Sequence, residues 1–330
     1  MASAADNQAL RGFMQAWTIV GFYGTWVRSL LNGTLASIFH ALHVSGVLPG
    51  TDLALSTTLT GIYWPFDYLL DILILFFCNA VDGSYPPTSV FGLWFAGQHT
   101  AVITILYLDC YRSGPKFSWR YLATVVLMAL PGEGPRALVS SHLHQALIAL
   151  WNMFPLVVGA SQTALERLVP LWADRVAGDA GGQEEDERVV ASRASRRAYA
   201  LALFITVASH LGLIVLTASA WLFPQLFSPA GIAAVQAGTL WRLPLSHATT
   251  ASLGPGILQF MQWDSLVGFT ALLVQVTTES TSRACTSGWR AQGAVLVVAA
   301  AVALGPGSAA LLVRWADDEE ALAKGSRKTE

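Results

Sequence analysis

From about Leu55 to Cys78 the chain is apolar for long enough to cross a bilayer as a helix, which takes roughly 20 residues, yet this run carries two carboxylates. Residues 61–84 read GIYWPFDYLLDILILFFCNAVDGS, with Asp67 and Asp71 inside the run and Asp82 at its far end. Four positions separate Asp67 from Asp71, so on a helix they share a face, with Tyr63 one turn earlier on the same face. Acids in hydrocarbon are costly, face the interior of a helix bundle and mark functional sites. The stretch therefore directs the fold toward a helical membrane bundle and the chemistry toward acids or ions held inside it.

Composition agrees. Of 330 residues, 54% are hydrophobic and 12% charged, with mean hydropathy +0.50; soluble domains carry about 25% charged residues. A net charge of −2 leaves no nucleic-acid footprint. Cys78, Cys110 and Cys285 have no metal-ligand spacing and read as structural thiols. The first residues lack a basic segment, a short apolar core and a small-residue cleavage site, so no cleaved signal peptide is expected. The first span is expected to act as the insertion signal.

The expected fold is all-α: one polytopic bundle over residues 1–330, with seven transmembrane helices, or eight if 119–160 forms a full hairpin. The spans read as Phe13–Leu31, Leu55–Cys78, Val90–Leu108, one or two within 119–160, Ala198–Phe223, Gly256–Val276 and Ala291–Val313. Arg28 can snorkel from the end of the first. Asn32-Gly33-Thr34 is a glycosylation acceptor if lumenal. His40 and His43 share a face but have no third ligand nearby, so a metal site is not expected.

DGSYPPTS at 82–89 ends the second span, and PGEGPR with Glu133 interrupts the fourth. Residues 161–197 form a polar loop of mixed charge, 224–253 a Pro- and Ser-containing connection with its own apolar patch, and 315–330 a solvated charged tail. His210, alone in its span, reads as a core residue. Gly305-Pro306-Gly307 lies inside the last span. Lys and Arg bias does not fix the orientation.

Polar groups within spans collect at Asp67 and Asp71, at Asp82, from Gln98 to Asp109, and at Asp264, which Gln262 and Trp263 flank. Burial disfavours the charged carboxyl, and a carboxylic acid kept neutral can donate a proton. Aromatic faces such as those of Tyr63, Trp94 and Trp263 stabilise cations. A proton donor with aromatic walls is what carbocation chemistry on an apolar substrate requires. Membrane-interface belts also use Trp and Tyr, and span-end acids such as Asp82 and Asp109 are ordinary at headgroup level. No G-x-S-x-G elbow, no H-E-x-x-H and no pair of Asp-rich Mg²⁺ motifs occurs, so no metal and no cofactor is expected.

The run GIYWPFDYLLDILILFFCNAVDGSYPPTSVFGLWFAGQ, followed by LYLDCYRSG, resembles the fungal membrane-bound terpene cyclases of the AscI type. QWD in the penultimate span and LGPG in the last, with an acidic tail after it, add to the likeness, which is clearest over 55–114 and 256–320. The resemblance implies an enzyme of secondary metabolism, in isomerase or lyase chemistry. It would protonate a terminal epoxide or olefin of a prenylated meroterpenoid precursor without a metal. Related fungal proteins are implied to open polyepoxides of polyketide chains. The matching positions are Asp67, Asp71, Asp82, Gln98, Asp109 and Asp264. One departure is Asn79, where an acid is expected before AVDGS.

On this reading Asp264 is the general acid, as the most central in its span, with Asp71, Asp82 and Asp67 positioning or sharing the proton. Gln98 and Asp109 would hold polar groups of the substrate, and Tyr63 and Trp263 would face the cation. The partners expected are a lipid-like prenylated small molecule, the membrane (that of the endoplasmic reticulum) and other enzymes of the pathway. The alternatives are an epoxide hydrolase or polyether-forming cyclase, and a proton-coupled transporter, against which the lack of a visible internal repeat weighs.

Overall fold

The computed structural model describes residues 4–48, 54, 55, 61, 63–81, 83–111, 145, 187–243, 245, 249, 250, 252–283 and 288–326. They are almost wholly helical, as the composition predicts, and contain no β-strand beyond one isolated antiparallel bridge between Val47 and Ala54. In chain order the helices are α1 (Ala4–Phe22), α2 (Arg28–Leu31), α3 (Thr34–His40), α4 (Trp64–Val81), α5 (Pro86–Tyr111), α6 (Glu187–Leu222), α7 (Pro229–Ala234), α8 (Ala237–Leu240), α9 (Leu253–Arg283), α10 (Gly288–Leu304) and α11 (Pro306–Ser326). A π-helical turn, Tyr23–Val27, joins α1 to α2, and a second, Ala41–Ser45, follows α3.

Three helices contain segments long and apolar enough to cross a membrane: Pro86–Leu108, Ser192–Leu222 and Leu253–Ser280. Gly293–Leu304 is apolar but shorter. The described residues thus support three of the seven or eight expected spans. Large apolar side chains stand exposed on α6 (Phe204, Val215, Trp221) and α10 (Val295, Val298), the surface a lipid environment would cover.

Local chemistry moves several boundaries. The helix expected as the second span begins at Trp64, not Leu55. Gly61, just before the helix, adopts a left-handed conformation, φ +65°, and Pro65 fits the first turn because its missing N–H would have had no partner there. The last span is two helices. Gly305, at φ +99°, stops α10, and Pro306 opens α11. The charged tail is helical to Ser326, and three of its acids, Asp317 to Glu319, dock on the bundle, while residues 320–323 stay exposed as expected.

Ser280 donates to Asp317, the Tyr199 hydroxyl donates to Asp318, and Arg196 donates through Nε and Nη2 to both oxygens of Glu319 at 2.6 Å. Hydrogen bonding from Arg196 holds the Glu319 carboxyl below the usual carboxylate range. Arg314 meets Glu279 at 2.8 Å, and the Trp315 ring stacks on Tyr199.

α9 is the central element. Trp17 on α1 donates to the carbonyl of Val267, and Gly21 and Gly24 let α1 and the π-helical turn after it approach Val267 and the Trp263 ring. The main apolar core gathers Leu70, Ile74, Leu75, Phe91, Trp94, Ile257 and Met261 between α4, α5 and α9. Asn32 is buried at the end of α2. Its Nδ2 donates to Gln259, and its Oδ1 accepts from the backbone N–H and the hydroxyl of Thr34. The side chain has no room for a glycan, so the acceptor suggested by the sequence is occupied as a helix stop. Asn32→Ala would orphan these buried partners. We expect it to lower stability by about 1–3 kcal/mol, read as a fall in the melting temperature of detergent-solubilised protein, and endoglycosidase treatment of the parent to cause no gel shift.

Several expectations fall on residues outside those described: Asp82, the Glu133 break, the choice of one or two spans in 119–160, and the polar loop up to residue 186.

Candidate functional site

Two contacts set the register around the acids. Thr88 on α5 donates to the carbonyl of Gly254, and His99 on α5 lies against Phe269, so α5 and α9 run parallel. Phe76 on α4 meets Phe260 on α9 with ring centroids 4.7 Å apart, while α4 runs antiparallel to both. At a rise of about 1.5 Å per residue, Asp264 and Asp71 lie about 6 Å and about 7.5 Å along their helices from that contact, in the same direction. Asp71, Asp264 and His99 therefore stand at one level of the α4–α5–α9 interface.

Within that level each group has its own partners. Asp67 is buried and accepts from the N–H of Gly61 at 3.0 Å. Asp71, one turn on, is only 3% exposed, and its Oδ1 has no hydrogen-bond partner among the described residues. Asp264 and His99 interact electrostatically. The Nδ1–H of His99 donates to the Phe95 carbonyl at 2.9 Å, since a carbonyl can only accept. Nε2 is then the ring nitrogen that this bond leaves open. The imidazole is held between two aromatic rings, Phe95 at 4.0 Å and Phe269 at 5.1 Å.

On the other side of Phe269 lies a cavity of about 490 Å³. Its walls come from α5 (Phe91, Trp94), α6 (His210, Ile214), α9 (Gln262, Ser265, Leu266, Phe269, Thr270, Leu273), the end of α10 (Ala301, Val302) and Pro306. Leu240, Trp241, Arg242 and Leu243 complete it. The lining is largely apolar and aromatic: Trp94 packs edge-on to Trp241 at 5.2 Å and lies 6.2 Å from Phe269.

The segment over this cavity comes from the connection at 224–253, which folds as short helices rather than as a loose link. Gln262 pins it by donating from Nε2 to the carbonyls of Thr239 and Leu240. Trp241, Arg242 and Leu243 are exposed, and the cavity opens between them. The broken last span sits at its wall, consistent with the rule that interrupted helices at membrane depth line cavities or are buried in protein.

His210 is a structural part of the wall. Trp94 donates from Nε1 to Nδ1 of His210 at 3.1 Å, and Nε2–H donates to the Val302 carbonyl at 3.1 Å. A Trp nitrogen can only donate, which fixes the neutral Nε2–H tautomer.

The expected site residues separate into groups. Asp71 and Asp264 share a level, and Asp67 sits one turn away. None of the three lines the described cavity. Asp264 lies on the opposite face of α9 from Gln262, Leu266, Phe269 and Leu273, which follow helical spacing, with Ser265 between the two faces. Gln98 is fully buried and occupied: Nε2 donates to the Thr206 carbonyl and to Ser209, and Oε1 accepts from the N–H of Gly307. It fastens α5 to α6 and to the start of α11.

Trp263 faces the π-helical turn and α2, with the Arg28 guanidinium 5.8 Å over its ring, and Tyr63 is exposed. Asp109 lies in the last turn of α5, and Asp82 is outside the described residues. Sequence reasoning missed Ser265, Trp241 and Arg242. The only sequence signal for Ser265 was its place one position after Asp264. Among the described residues no cluster of three or more His, Cys, Asp or Glu could hold a metal ion.

Against known proteins, the model of the CtvD domain matches residues 11–130 and 115–322. No curated protein and no solved structure matches the chain. The two matched segments take in the α4–α5 acids, Asp264 and every wall of the cavity, and the chain belongs to the CtvD-domain family.

Proposed function

We propose that the protein is a membrane-embedded cyclase of fungal secondary metabolism, metal-independent and acid-initiated, acting on a prenylated or epoxidised lipid-like substrate in the endoplasmic reticulum membrane. The observation that carries this reading is the adjacency of a carboxyl–imidazole pair, Asp264 and His99, to an aromatic cavity across Phe269. The cavity's size falls within the about 300–1,000 Å³ range of small-molecule sites. Further support comes from the CtvD-domain match, whose name associates the family with fungal secondary metabolism.

The reaction balances without a co-reactant. With the epoxide end of the chain reaching past Phe269 to the carboxyl–imidazole pair, the Asp264 carboxyl gives its proton to the epoxide oxygen, and the C–O bond breaks to leave a tertiary cation. An alkene of the same chain closes on that cation. The final cation loses a proton to the carboxylate, so product and substrate are isomers. Aromatic rings stabilise the passing positive charge, and the apolar wall excludes water.

A second reading has one observation of its own in favour: a carboxyl paired with an imidazole supplies both an acid and a base. If His99 Nε2 deprotonates a water or an internal hydroxyl while Asp264 protonates the epoxide, the result is a diol or cyclic ether. Membranes from cells expressing the full chain, incubated with an epoxyfarnesylated phenol and a chelator, separate the outcomes. We expect an isomer of unchanged mass. A product heavier by one water selects the hydrolase. Unreacted substrate accumulating inside sealed vesicles overturns both in favour of transport.

A further inference from the structure

Ser265 carries a buried hydroxyl on the cavity wall that has no hydrogen-bond partner among the described residues. It is 5% exposed, lines the cavity among Trp94, Leu266 and Phe269, and its Oγ makes no hydrogen bond among the described residues. Serines in apolar helices ordinarily satisfy themselves on the carbonyl one turn back, as Thr278 does on α9. A buried hydroxyl without a partner costs about 1–3 kcal/mol, and here the open space beside it can hold what would repay that cost. At the mouth stands Arg242, exposed, with no carboxylate partner among the described residues, on the segment that Gln262 ties across the opening. His210 and Gln262 on the same wall are already bonded, so a cation at the rim and the buried Ser265 hydroxyl stand apart, with aromatic walls between them.

We infer that the cavity selects an anionic amphiphile: an acidic head, carboxylate or phenolate, pairs with Arg242 at the rim, while an oxygen function on its apolar chain accepts a hydrogen bond from Ser265. A neutral polyene would fill the walls but would leave both groups unsatisfied. A molecule polar along its length would lose the apolar contacts. The inference rests on the cavity being the substrate site of the proposed enzyme, and it adds the head group and the inner oxygen that the site would recognise. Ser265 and Arg242 are specificity residues here; the proton still comes from the carboxyl–imidazole pair.

Binding can be read without turnover. The full chain in phosphatidylcholine nanodiscs is titrated with farnesoic acid, its methyl ester and 10,11-epoxyfarnesoic acid, following quenching of Trp fluorescence, to which Trp94 and Trp241 contribute. The acid is expected to bind about tenfold more tightly than the ester, the scale of one hydrogen bond to a charged group. Arg242→Gln is expected to erase that ratio and Arg242→Lys to keep most of it. Ser265→Ala is expected to weaken the epoxide about threefold to tenfold while leaving the alkene acid unchanged.

Because each result is a ratio within one variant, a general loss of folded protein moves none of them. An acid-to-ester ratio unchanged in Arg242→Gln overturns the head-group assignment. Anionic phospholipid added to the nanodisc that competes with ligand through Arg242 overturns it too, assigning the cation to the bilayer. Equal loss of epoxide and alkene in Ser265→Ala overturns the inner contact. If these ratios hold but no isomer forms in the turnover assay, the inference stands and the cyclase reading falls. If isomers form from neutral substrates while the ratios are flat, the reverse is true.

Discussion

Asp264→Asn is expected to cut product formation by about 100-fold or more while leaving ligand binding in the cavity intact. A positioned general acid contributes about 10²–10⁴ in rate, and asparagine keeps the shape of the side chain while removing the transferable proton. Gln262, Leu266, Phe269 and Leu273 of the cavity wall lie on the opposite face of α9, so the exchange leaves that wall untouched. The comparison that gives the result meaning is Asp71→Asn. Asp71 stands at the same level with an unpartnered oxygen, and it is the competing donor. Loss of turnover in Asp264→Asn with substantial activity in Asp71→Asn supports the Asp264–His99 pair. The reverse pattern moves the proton to α4. Wild-type rates in both variants would end the acid-initiated mechanism. His99→Gln distinguishes the two readings further: it should abolish a water-derived product, which needs the imidazole base, more completely than an isomer, whose last proton returns to the Asp264 carboxylate.

The largest expected loss of stability is at the break in the last span. Gly305 holds φ +99°, and a Cβ there would lie 2.6 Å from Gln98 Oε1 and 2.9 Å from Nε2. The Gln98 amide cannot move aside, because it is bonded to Thr206, Ser209 and Gly307 on two other helices. Backbone strain in this region costs about 1–3 kcal/mol, and overpacking a tight site adds about 1–3 kcal/mol. Gly305→Ala is therefore expected to destabilise the fold by about 2–5 kcal/mol, with a large drop in monodisperse protein after mild heating in detergent. Gly212→Ala on α6 is the control. Nothing lies within 4 Å of the added carbon, and a mid-helix alanine is expected to be neutral or slightly stabilising. Equal melting of Gly305→Ala and the parent would remove the break from the architecture.

The helices were legible because their signal is local. Long apolar runs broken by DGSYPPTS and by Gly and Pro clusters placed α5, the end of α6 and the start of α9 to within a few residues, but α6 begins at Glu187, inside the expected polar loop, and α9 runs on to Arg283, because polar residues extend a helix that the apolar pattern does not mark. α4 was right in kind and early in its start: Leu55 is not helical and Gly61 holds a left-handed torsion, neither of which an apolar run reveals. The Gly305-Pro306-Gly307 triplet was visible, but an apolar sequence continues on both sides of it. The tail failed at Asp317 to Glu319 for a different reason. Charges at 315–330 look solvated in one dimension, and their partners Arg196, Tyr199 and Ser280 come from elements 35 or more residues away.

The candidate site divides the same way. Asp67, Asp71 and Asp264 could be found from sequence because an acid in an apolar run is conspicuous wherever it sits. Their pairing could not: His99 lies 165 positions before Asp264, and only the parallel packing of α5 on α9 joins them. Gln98 looked like a substrate ligand in a list of polar residues, whereas packing has already spent its amide on three neighbours.

By itself, then, the sequence determined that this chain is helical, apolar enough for a membrane, and burdened with buried acids, since hydrophobicity and charge are properties each segment carries wherever it goes. Which acid meets which base, which aromatic rings enclose a cavity, and that Ser265 rather than Gln98 faces it with a free hydroxyl were decided only by tertiary packing. The physical reason is that hydrogen bonds and cavity walls are relations between helices far apart in the chain, and they do not exist until those helices pack.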